Sequence, residues 1–593
     1  MPDQRLTWTD DGQPRSTLYD DVYFSAEDGL AEARAVFLEG GGLPAAWAGR
    51  RRFVVAELGF GTGLNILALA DLWRRCRPPG GFLQVFSVEA HPLTAAEAAR
   101  ALARWPEVAD LAERLLAQWP GRARGVHRLE FTDLGLVVDV AIEEVGAALA
   151  GWTGRADAWF LDGFSPALNP AMWRDDVLAL VAARSAPGAG LATFTVAGQV
   201  RRGLAAAGFT VERRPGFGRK RERLAARFPG QAPSEAPAPR VAIIGAGIAG
   251  AAAARAVRAL GVEPVVVEAQ GRGAGASGNR GALVTPRLDA GLGPPARLFA
   301  QAFRRAVALY GSVPDAIGGQ GVLQLAVQDR DPARFDAIAQ SDIFEPGDLE
   351  SLDGRAVTGL LGEAGPAGLA QHAALVVAPA AVLAAWTPNI LSGRAATVRR
   401  EGDAWTVLGP DEVELARADI VIVAAGIDSN RLVPELNLRA VRGQATFVAT
   451  DERPPAIVGG AYVLSAPGGV LLGATHDRDD TDDEARSADD ARNLASLAAT
   501  LPGLAGRLAG GRMSGRAGIR AATFDQTPVA GPAGLEKGLL VLAGLGSRGF
   551  SLAPLLGEHV AALALGAPSP LSASLAALVD PNRFASRAAR RGS

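Results

Sequence analysis

The fold of this chain is decided by two glycine-rich stretches, each preceded by an apolar run: Phe53-Val-Val-Ala-Glu-Leu-Gly-Phe-Gly-Thr-Gly63 and Arg240-Val-Ala-Ile-Ile-Gly-Ala-Gly-Ile-Ala-Gly250. Glycine lets the backbone turn sharply and lets a ligand approach closely, so a strand followed by such a turn and a helix is typical of nucleotide-binding domains. One domain rarely needs two of these turns. The pattern therefore predicts two cofactor domains, and two chemistries that act on one substrate.

The chain is divided by a proline- and alanine-rich segment, 229–239, which favours an extended linker. Residues 1–228 alternate strand-like runs with helical patterns, which predicts a parallel sheet covered on both faces. Its strands are expected at 53–57, 83–88, 134–138, 156–161 and 191–196. Residues 240–593 open with a β-α-β unit, and shorter alternating segments between about 310 and 520 predict a more antiparallel, substrate-covering subdomain.

Composition and charge describe an ordinary soluble globular protein: 593 residues, 48% hydrophobic and 21% charged, with a net charge of −3. The single cysteine excludes an internal disulfide and a multi-cysteine metal site, and the five histidines lack metal-ligand spacing. No uncharged apolar run is long enough to span a membrane, and the N-terminus lacks the apolar core of a signal peptide. We therefore expect a cytoplasmic protein without membrane or metal, and a monomer, since its two domains are joined covalently.

The first turn, Glu57-Leu-Gly-Phe-Gly-Thr-Gly63, suits S-adenosylmethionine better than a dinucleotide. Glu89 ends the next strand, where a carboxylate can accept both ribose hydroxyls, and Asp139 ends the following one, where it would meet the adenine amino group. The candidate cofactor-binding residues are Glu57, Gly59, Gly61, Gly63, Glu89 and Asp139. For Glu89, an ordinary surface charge is the alternative.

Asp162 follows the strand 156–161 and is the candidate catalytic residue of this half. It should lie near the transferred methyl group, because ligands of open sheets bind beyond the carboxyl ends of the strands. There a carboxylate can orient an amine nucleophile and accept its proton. A cap on the following turn is the alternative role for Asp162.

A basic run extends from Arg201 to Arg227, with nine bases against two acids. Such a run can bind nucleic acid, because neutralised phosphates release counterions. From charge alone, a solvated arginine-rich surface explains it equally well. The candidate phosphate-binding residues of this run are Arg201, Arg202, Arg219, Lys220 and Arg221.

The second turn obeys the G-x-G-x-x-G rule, which places a pyrophosphate at a helix N-terminus, and Glu268 ends the next strand, where it can bind an adenosine ribose. Three later segments favour FAD over NAD: Gly275-Ala-Ser-Gly-Asn-Arg-Gly281, Val423-Ala-Ala-Gly426 and Gly544-Leu-Gly-Ser-Arg-Gly-Phe550. In the last segment, backbone N–H groups near Ser547 and Arg548 could face a flavin carbonyl. The candidate FAD-binding residues are Gly245, Gly247, Gly250, Glu268, Ser277, Asn279, Gly426, Gly546, Ser547, Arg548 and Gly549.

Nearly the whole chain resembles one bacterial family, the bifunctional tRNA 5-methylaminomethyl-2-thiouridine biosynthesis proteins. The resemblance is carried by Leu161-Asp-Gly-Phe-Ser-Pro-Ala-Leu-Asn-Pro-Ala-Met-Trp173, Ala197-Gly-Gln-Val-Arg-Arg-Gly-Leu204, Gly216-Phe-Gly-Arg-Lys-Arg-Glu222, Val441-Arg-Gly-Gln444 and Gly518-Ile-Arg-Ala-Ala-Thr-Phe-Asp-Gln-Thr-Pro-Val-Ala-Gly531. It implies an α/β fold: a class I methyltransferase-like doubly wound sheet, joined to a FAD-binding Rossmann-type domain with an antiparallel substrate subdomain, as in D-amino-acid oxidase and glycine oxidase. It also implies that Arg520 pairs with the substrate carboxylate, and that Arg201, Arg202, Arg219, Lys220 and Arg221 of the basic run bind tRNA.

The resemblance implies two consecutive steps on the wobble uridine of tRNA. FAD-dependent oxidation would remove the carboxymethyl group from carboxymethylaminomethyl-(2-thio)uridine, and methylation by S-adenosylmethionine would then give methylaminomethyl-(2-thio)uridine. One alternative is the same cofactors acting on free amino acids or small amines, against which the basic run argues. Another is a tRNA-binding protein with a degenerate flavin domain, suggested by Phe524 and Ala374, which replace residues common in the family.

Overall fold

The computed structural model describes residues 5–25, 27–218, 220–232, 237–534 and 536–584. The chain forms two compact units. The N-terminal unit comprises Met1–Pro237 and Pro568–Ala573, and the C-terminal unit comprises Ala238–Ala567 and Ser574–Ser593. The assignment of residues 568–573 to the first unit has no counterpart in the sequence-based division at 229–239.

The N-terminal unit contains an eight-stranded sheet and a separate two-stranded sheet. Its strands are β1 Leu6–Trp8, β2 Pro14–Ser16, β3 Arg52–Leu58, β4 Phe82–Glu89, β5 Gly125–Phe131, β6 Leu136–Ile142, β7 Ala156–Leu161, β8 Ser185–Thr193, β9 Thr210–Pro215 and β10 Glu222–Arg227. The order of the large sheet is β5-β6-β4-β3-β7-β8-β10-β9, with parallel pairing from β6 to β8. The strand order reverses between the neighbours β3 and β7, which is where open α/β sheets bind ligands.

Helices cover this sheet: α1 Gly29–Ala33, α2 Leu64–Cys76, α3 Ala95–Leu102, α4 Ala109–Leu116, α5 Val145–Gly151, α6 Asp175–Ala183 and α7 Gly198–Ala206. Six of the seven residues of β3 are buried, because a parallel strand is covered on both faces. Helix α2 follows directly and buries apolar side chains such as Leu67 and Trp73 against the sheet.

The expected strand at 134–138 is displaced in the structure, and the difference moves a candidate site residue. Residues 132–134 form a 3-10 turn that ends at Gly135, so β6 begins at Leu136 and continues to Ile142. Asp139 therefore stands in the middle of its strand, not at the end. Its carboxylate accepts two hydrogen bonds from Arg128, each 2.7 Å long, and is 2% exposed.

The C-terminal unit contains three sheets. Its strands are β11 Val241–Ile244, β12 Val265–Glu268, β13 Ala282–Val284, β14 Ile317–Leu325, β15 Leu349–Leu352, β16 Gly368–Val377, β17 Leu391–Ser392, β18 Thr397–Glu401, β19 Ala404–Leu408, β20 Glu414–Ala418, β21 Ile420–Val423, β22 Arg439–Ala449, β23 Ile457–Gly459, β24 Ala461–Ala466, β25 Gly469–Gly473, β26 Asp477–Arg478, β27 Arg512–Ala522, β28 Val529–Pro532 and β29 Leu539–Ala543. A six-stranded sheet, β17-β12-β11-β21-β29-β28, is parallel except for β28. A ten-stranded sheet is antiparallel except for the pair β14 and β23, and β18-β19-β20 form the third. The expected Rossmann-type sheet and antiparallel subdomain are confirmed.

The helices of this unit are α8 Ile248–Ala259, α9 Pro294–Gly311, α10 Asp331–Ala339, α11 Gly354–Leu361, α12 Pro379–Trp386, α13 Ser429–Leu432, α14 Ser487–Ala498, α15 Pro502–Ala509, α16 Gly549–Leu565 and α17 Ala573–Val579. Helix α16 is almost wholly buried, and its Gly557 touches the backbone of α8 at Ala252. Its one acid, Glu558, is paired with Arg305 and Arg255 at 2.6 and 2.9 Å. Within the described ranges, every helix is too short or too polar to cross a bilayer.

We predict that Asp139→Asn destabilises the protein by about 3 kcal/mol, because the substitution replaces a buried carboxylate that accepts two short hydrogen bonds from the buried Arg128. The measurement is the free energy of unfolding of the full chain in urea, with the Tm as a second readout. The matched control is Asp176→Asn, which removes an exposed carboxylate paired with the exposed Arg174 and should leave the Tm unchanged. Equal stability of the two variants would contradict a structural role for Asp139.

Candidate active sites

The loop between β3 and α2 is held against the end of β7 by a contact between two backbone segments. Gly59 has a φ of 99°, and a Cβ at this position would collide with the carbonyl oxygen of Asp162. The N–H of Asp162 donates to the carbonyl of Leu58 at 3.0 Å. Glycine is the residue that permits both the left-handed backbone and the close approach. The contact therefore fixes Asp162 beside the glycine-rich turn.

A cavity of about 400 Å³ opens at the carboxyl ends of β3, β4 and β7. Aromatic rings form much of its wall, with Tyr23 and Phe164 packed edge to face at 5.1 Å between centroids. The predicted residues that line it are Gly59, Gly61, Glu89, Asp162 and Lys220. Gly63 precedes α2 as its N-cap and does not line the cavity. A glycine turn, a helix N-terminus and aromatic walls suit the nucleoside and the cationic sulfonium of S-adenosylmethionine.

The side chain of Asp162 lines this cavity, and its carboxylate accepts one hydrogen bond from a neutral side chain. The Nδ2 of Asn65 donates to its Oδ2 at 2.7 Å. Burial raises the pKa of Asp162 from 3.8 to about 7, while Asn65 and the ammonium of Lys220 act in the opposite direction. A base with a pKa near the working pH is efficient in proton transfer. Asp162 can therefore accept a proton from a bound amine.

Glu57 lies behind Asn65 and does not line the cavity, and its expected role as a cofactor contact stays a prediction. The same Nδ2 of Asn65 donates to Glu57 Oε1 at 3.0 Å, and Ser87 Oγ donates to Oε2 at 2.6 Å. Complete burial raises the pKa of Glu57 to about 8. Glu57 therefore positions Asn65, and Asn65 positions Asp162. Sequence reasoning missed Asn65, for which the available signal was one amide near the start of α2, followed by the apolar residues 66–70.

Glu89 ends β4, and backbone donors fix its carboxylate at the edge of the cavity. The N–H of Gly61 donates to one oxygen at 3.0 Å and the N–H of His91 to the other at 2.8 Å. A carboxylate has lone pairs left for ribose hydroxyls after two such bonds. Asp139, in contrast, does not line the cavity and accepts hydrogen bonds from Arg128 and Gln84, and its expected adenine contact stays a prediction. The acids that follow β6 and line the cavity are Glu143 and Glu144.

The bases of the run lie in different environments in the structure. Lys220 lies at the cavity, where its Nζ is 2.9 Å from Glu32 and 4.4 Å from the centroid of the Phe194 ring. Arg213 and Arg214 are paired with Glu222 and Glu212. The exposed candidates Arg201, Arg202 and Arg221 form no ion pair within the described ranges, and Arg219 lies outside those ranges. A phosphate-binding role for these arginines stays a prediction, whereas Lys220 belongs to the cavity wall.

The second glycine-rich turn joins β11 to α8 and packs against the end of β21. A Cβ on Gly250 would collide with the carbonyl oxygen of Gly245, so the helix can start directly under the turn only with glycine there. The N–H of Ala246 donates to Glu268 Oε2 at 2.7 Å. The Oγ of Ser277 accepts from Ile248 N–H at 3.0 Å and lies near Gly247. The open helix N-terminus and the adjacent carboxylate suit a pyrophosphate and a ribose, as FAD requires.

The other FAD candidates lie on loops around this turn. Asn279 accepts from Arg516 at 3.3 Å, and Arg516 also donates to the carbonyls of residues 273–275. Gly426 follows β21. In the loop before α16, the N–H of Gly546 donates to the carbonyl of Ala521 and that of Arg548 to Leu545, so neither is free to meet a flavin carbonyl. Ser547 is exposed, and Gly549 is the first residue of α16.

Arg520 lies on β27 and is half-buried, with one hydrogen bond to the carbonyl of Thr475 at 3.2 Å. A Cβ at Gly443 on the paired strand β22 would collide with its guanidinium, so glycine makes room for the arginine. Burial lowers the pKa of Arg520. It forms no ion pair with any acid in the described part of the chain, and Tyr462 lies close enough to interact with it electrostatically. This arrangement is suited to a ligand carboxylate.

The described residues contain no group of three or more His, Cys, Asp or Glu side chains that could hold a metal ion. Among known families, the S-adenosyl-L-methionine-dependent methyltransferases match residues 106–229, and the FAD dependent oxidoreductases match residues 240–563. In fold, the C-terminal unit is similar to the deglycating enzyme fructosamine oxidase (Amadoriase II) of Aspergillus fumigatus, with a TM-score of 0.50 and 16% identity over 59% of this chain and 91% of that chain.

Full-length relatives cover both halves at high identity. The chain is 56% identical to the tRNA 5-methylaminomethyl-2-thiouridine biosynthesis bifunctional protein of Caulobacter sp. (strain K31), over 98% of each chain. It is 45% identical to the protein of the same name from Maricaulis maris (strain MCS10), over 99% of this chain and 97% of that one. These matches confirm S-adenosylmethionine and FAD as the cofactors of the two halves. The chain therefore belongs to the family of bifunctional tRNA 5-methylaminomethyl-2-thiouridine biosynthesis proteins.

Proposed function

We propose that this protein modifies the wobble uridine of tRNA in two consecutive steps. The first converts carboxymethylaminomethyl-(2-thio)uridine to aminomethyl-(2-thio)uridine, and the second methylates the amine that the first step exposes. The observation that carries the proposal is the high identity to relatives of this name along both halves. We also propose that the protein acts as a cytoplasmic monomer, because one chain carries both sites and its substrate is tRNA.

The two cofactors supply the reactive groups when bound: FAD accepts a hydride, and S-adenosylmethionine provides the methyl group. When bound, FAD would oxidise the glycine-derived carbon of the substrate by taking its hydride, and hydrolysis of the resulting imine would release glyoxylate and the primary amine. Arg520 binds the carboxylate of that glycine unit. Its half-burial strengthens the interaction, since fewer waters compete for the guanidinium.

In the methylation step Asp162 orients the primary amine and takes its proton. Above pH 7 the carboxylate is largely ionised, since its pKa is about 7, so it can act as the base. Asn65 holds the carboxylate from one side, which leaves Oδ1 for the substrate. Positioning accounts for most of what the protein must add, because the methyl group is already activated on a sulfonium.

The proposed function is tested by nucleoside analysis of tRNA from cells that lack this protein. We expect carboxymethylaminomethyl-uridine to accumulate and methylaminomethyl-uridine to disappear. Re-expression of the wild-type chain should restore the modified nucleoside. Unchanged wobble nucleosides would contradict the assignment to tRNA.

Asp162→Asn should lower the rate of methyl transfer to aminomethyl-tRNA by about 100-fold or more, because the amide cannot accept the proton. The wild-type rate should fall about tenfold per pH unit below the pKa of about 7, and Lys220→Met should shift this limb to higher pH, since the ammonium lowers the pKa of Asp162. The assay follows labelled methyl groups into tRNA. Retained oxidation of carboxymethylaminomethyl-tRNA is the control for folding, and a wild-type rate in Asp162→Asn would refute the base assignment.

Arg520→Gln should raise the KM for carboxymethylaminomethyl-tRNA by about tenfold or more, because the substrate carboxylate loses a charge-assisted hydrogen bond. Methylation of aminomethyl-tRNA by the same variant should be unaffected, because that substrate has no carboxylate and reacts in the other half. The flavin absorbance of the purified variant reports that FAD is still bound. An unchanged KM for oxidation would place the carboxylate elsewhere.

A further inference from the structure

Arg439, Arg478 and Arg520 share one face of the antiparallel sheet beside the proposed carboxylate site. Arg520 on β27 and Arg478 on β26 both lie directly opposite Val441 on the central strand β22. Arg439 lies two residues before Val441 on the same strand and opposite Ala522. Directly opposed residues point to the same side of a sheet, as do residues two apart on a strand. Arg439, Arg478 and Arg520 therefore face the same way.

The two faces of this sheet differ in how their arginines are compensated. On the other face, Arg442 is fully buried and paired with Asp489 at 2.5 Å. Arg439, Arg478 and Arg520 form no ion pair with an acid in the described ranges. Asp477 and Asp525, in the flanking segments, are held by Arg492 and Arg583 at 2.9 and 3.0 Å. Of the acids that follow β26, Asp479, Asp483 and Glu484 have no ion pair within those ranges. The carbonyls of Asp482 and Glu484 accept from Arg442, so that part of the segment lies towards the other face, and Asp479 is the acid next to Arg478.

An exposed aromatic side chain lies at the edge of the same face. Phe524 lies two residues after the end of β27 and is 76% exposed. Within the described ranges, it is the one exposed residue among Phe, Tyr and Trp. The guanidinium of Arg439 lies 4.9 Å from its ring centroid. A single exposed apolar side chain is common on protein surfaces. Phe524 differs from such residues because its exposed ring lies next to arginines that form no ion pair within the described ranges.

We propose that Arg439, Arg478 and Phe524 bind the single-stranded anticodon loop of tRNA and bring its modified uridine to Arg520. The arginines contact backbone phosphates, and the ring of Phe524 stacks on an unpaired base next to that uridine. Unpaired loop bases are accessible for stacking on aromatic side chains, whereas the bases of a duplex are not. An acidic peptide would satisfy the arginines but would leave the exposed ring without a partner. This inference rests on the proposed function and locates its RNA contact in the flavin half.

The test measures the affinity of the full-length holoenzyme for an anticodon stem–loop that carries carboxymethylaminomethyl-uridine. Phe524→Ala should weaken binding by about fivefold or more, and Phe524→Trp should restore it, because base stacking needs an aromatic face. The double variant R439Q/R478Q should reduce the slope of log affinity against log salt by about 1.4, the value for two phosphates of a single strand. Matched controls are Leu360→Ala, an exposed apolar residue on α11, and Arg399→Gln, an exposed arginine paired with Glu412.

The outcomes separate this inference from the function on which it rests. Wild-type binding and oxidation of the stem–loop, with unchanged affinity in Phe524→Ala and an unchanged salt slope in R439Q/R478Q, would overturn the surface and leave the function standing. A wild-type holoenzyme that neither binds nor oxidises the stem–loop would overturn both. Equal weakening by Phe524→Ala for the stem–loop and for polyglutamate would also overturn it, since an acidic peptide offers no base to stack.

Discussion

The carbonyl oxygen of Asp162 occupies the space that a side chain at residue 59 would need, and the methyl-transfer site depends on this contact. The ends of β3 and β7 can approach so closely only because Gly59 lacks a Cβ. Asp162 consequently stands at the switch point of the sheet, beside the turn expected to hold the methyl donor. The flavin half repeats the principle, since Gly250 packs on the carbonyl of Gly245 and lets α8 begin under its turn.

Below the first turn, a single amide connects two buried carboxyl groups. The Nδ2 of Asn65 donates to both Asp162 and Glu57, and burial raises the pKa of each, to about 7 and about 8. A cationic donor at the position of Asn65 would hold Asp162 ionised and make it a weaker base. The neutral amide fixes its geometry and leaves it basic, while the more distant Lys220 moderates the shift.

In the flavin half, the arginines that support the fold differ from those available to a ligand in whether an acid pairs with them. Buried arginines such as Arg442 and Arg305 meet acids at short distances, because an unpaired buried charge is strongly destabilising. Arg520 is half-buried without such a partner, and the nearby Arg439 and Arg478 are exposed. A substrate that carries a carboxylate and phosphates can supply the missing negative charge. The same separation applies in the first half, where Arg128 is paired and Arg201 has no ion pair among the residues that the structure describes.

The sequence by itself determined the two turns and the place of Asp162, because these depend on local glycine spacing and on the strand that precedes each site. The fold class and both cofactors followed from motifs along both halves that resemble one family, since the second turn alone does not separate FAD from NAD. It did not determine the position of Asp139 within its strand, because that strand starts later than the periodicity predicts. It also did not determine that Lys220 lies at the cavity, because its partner Glu32 is 188 residues away along the chain. It also missed Asn65 and the shared face of Arg439, Arg478 and Arg520. Those relations exist only after strands pair in register and side chains choose partners, since hydrogen bonding and burial depend on distance in space rather than on separation along the chain.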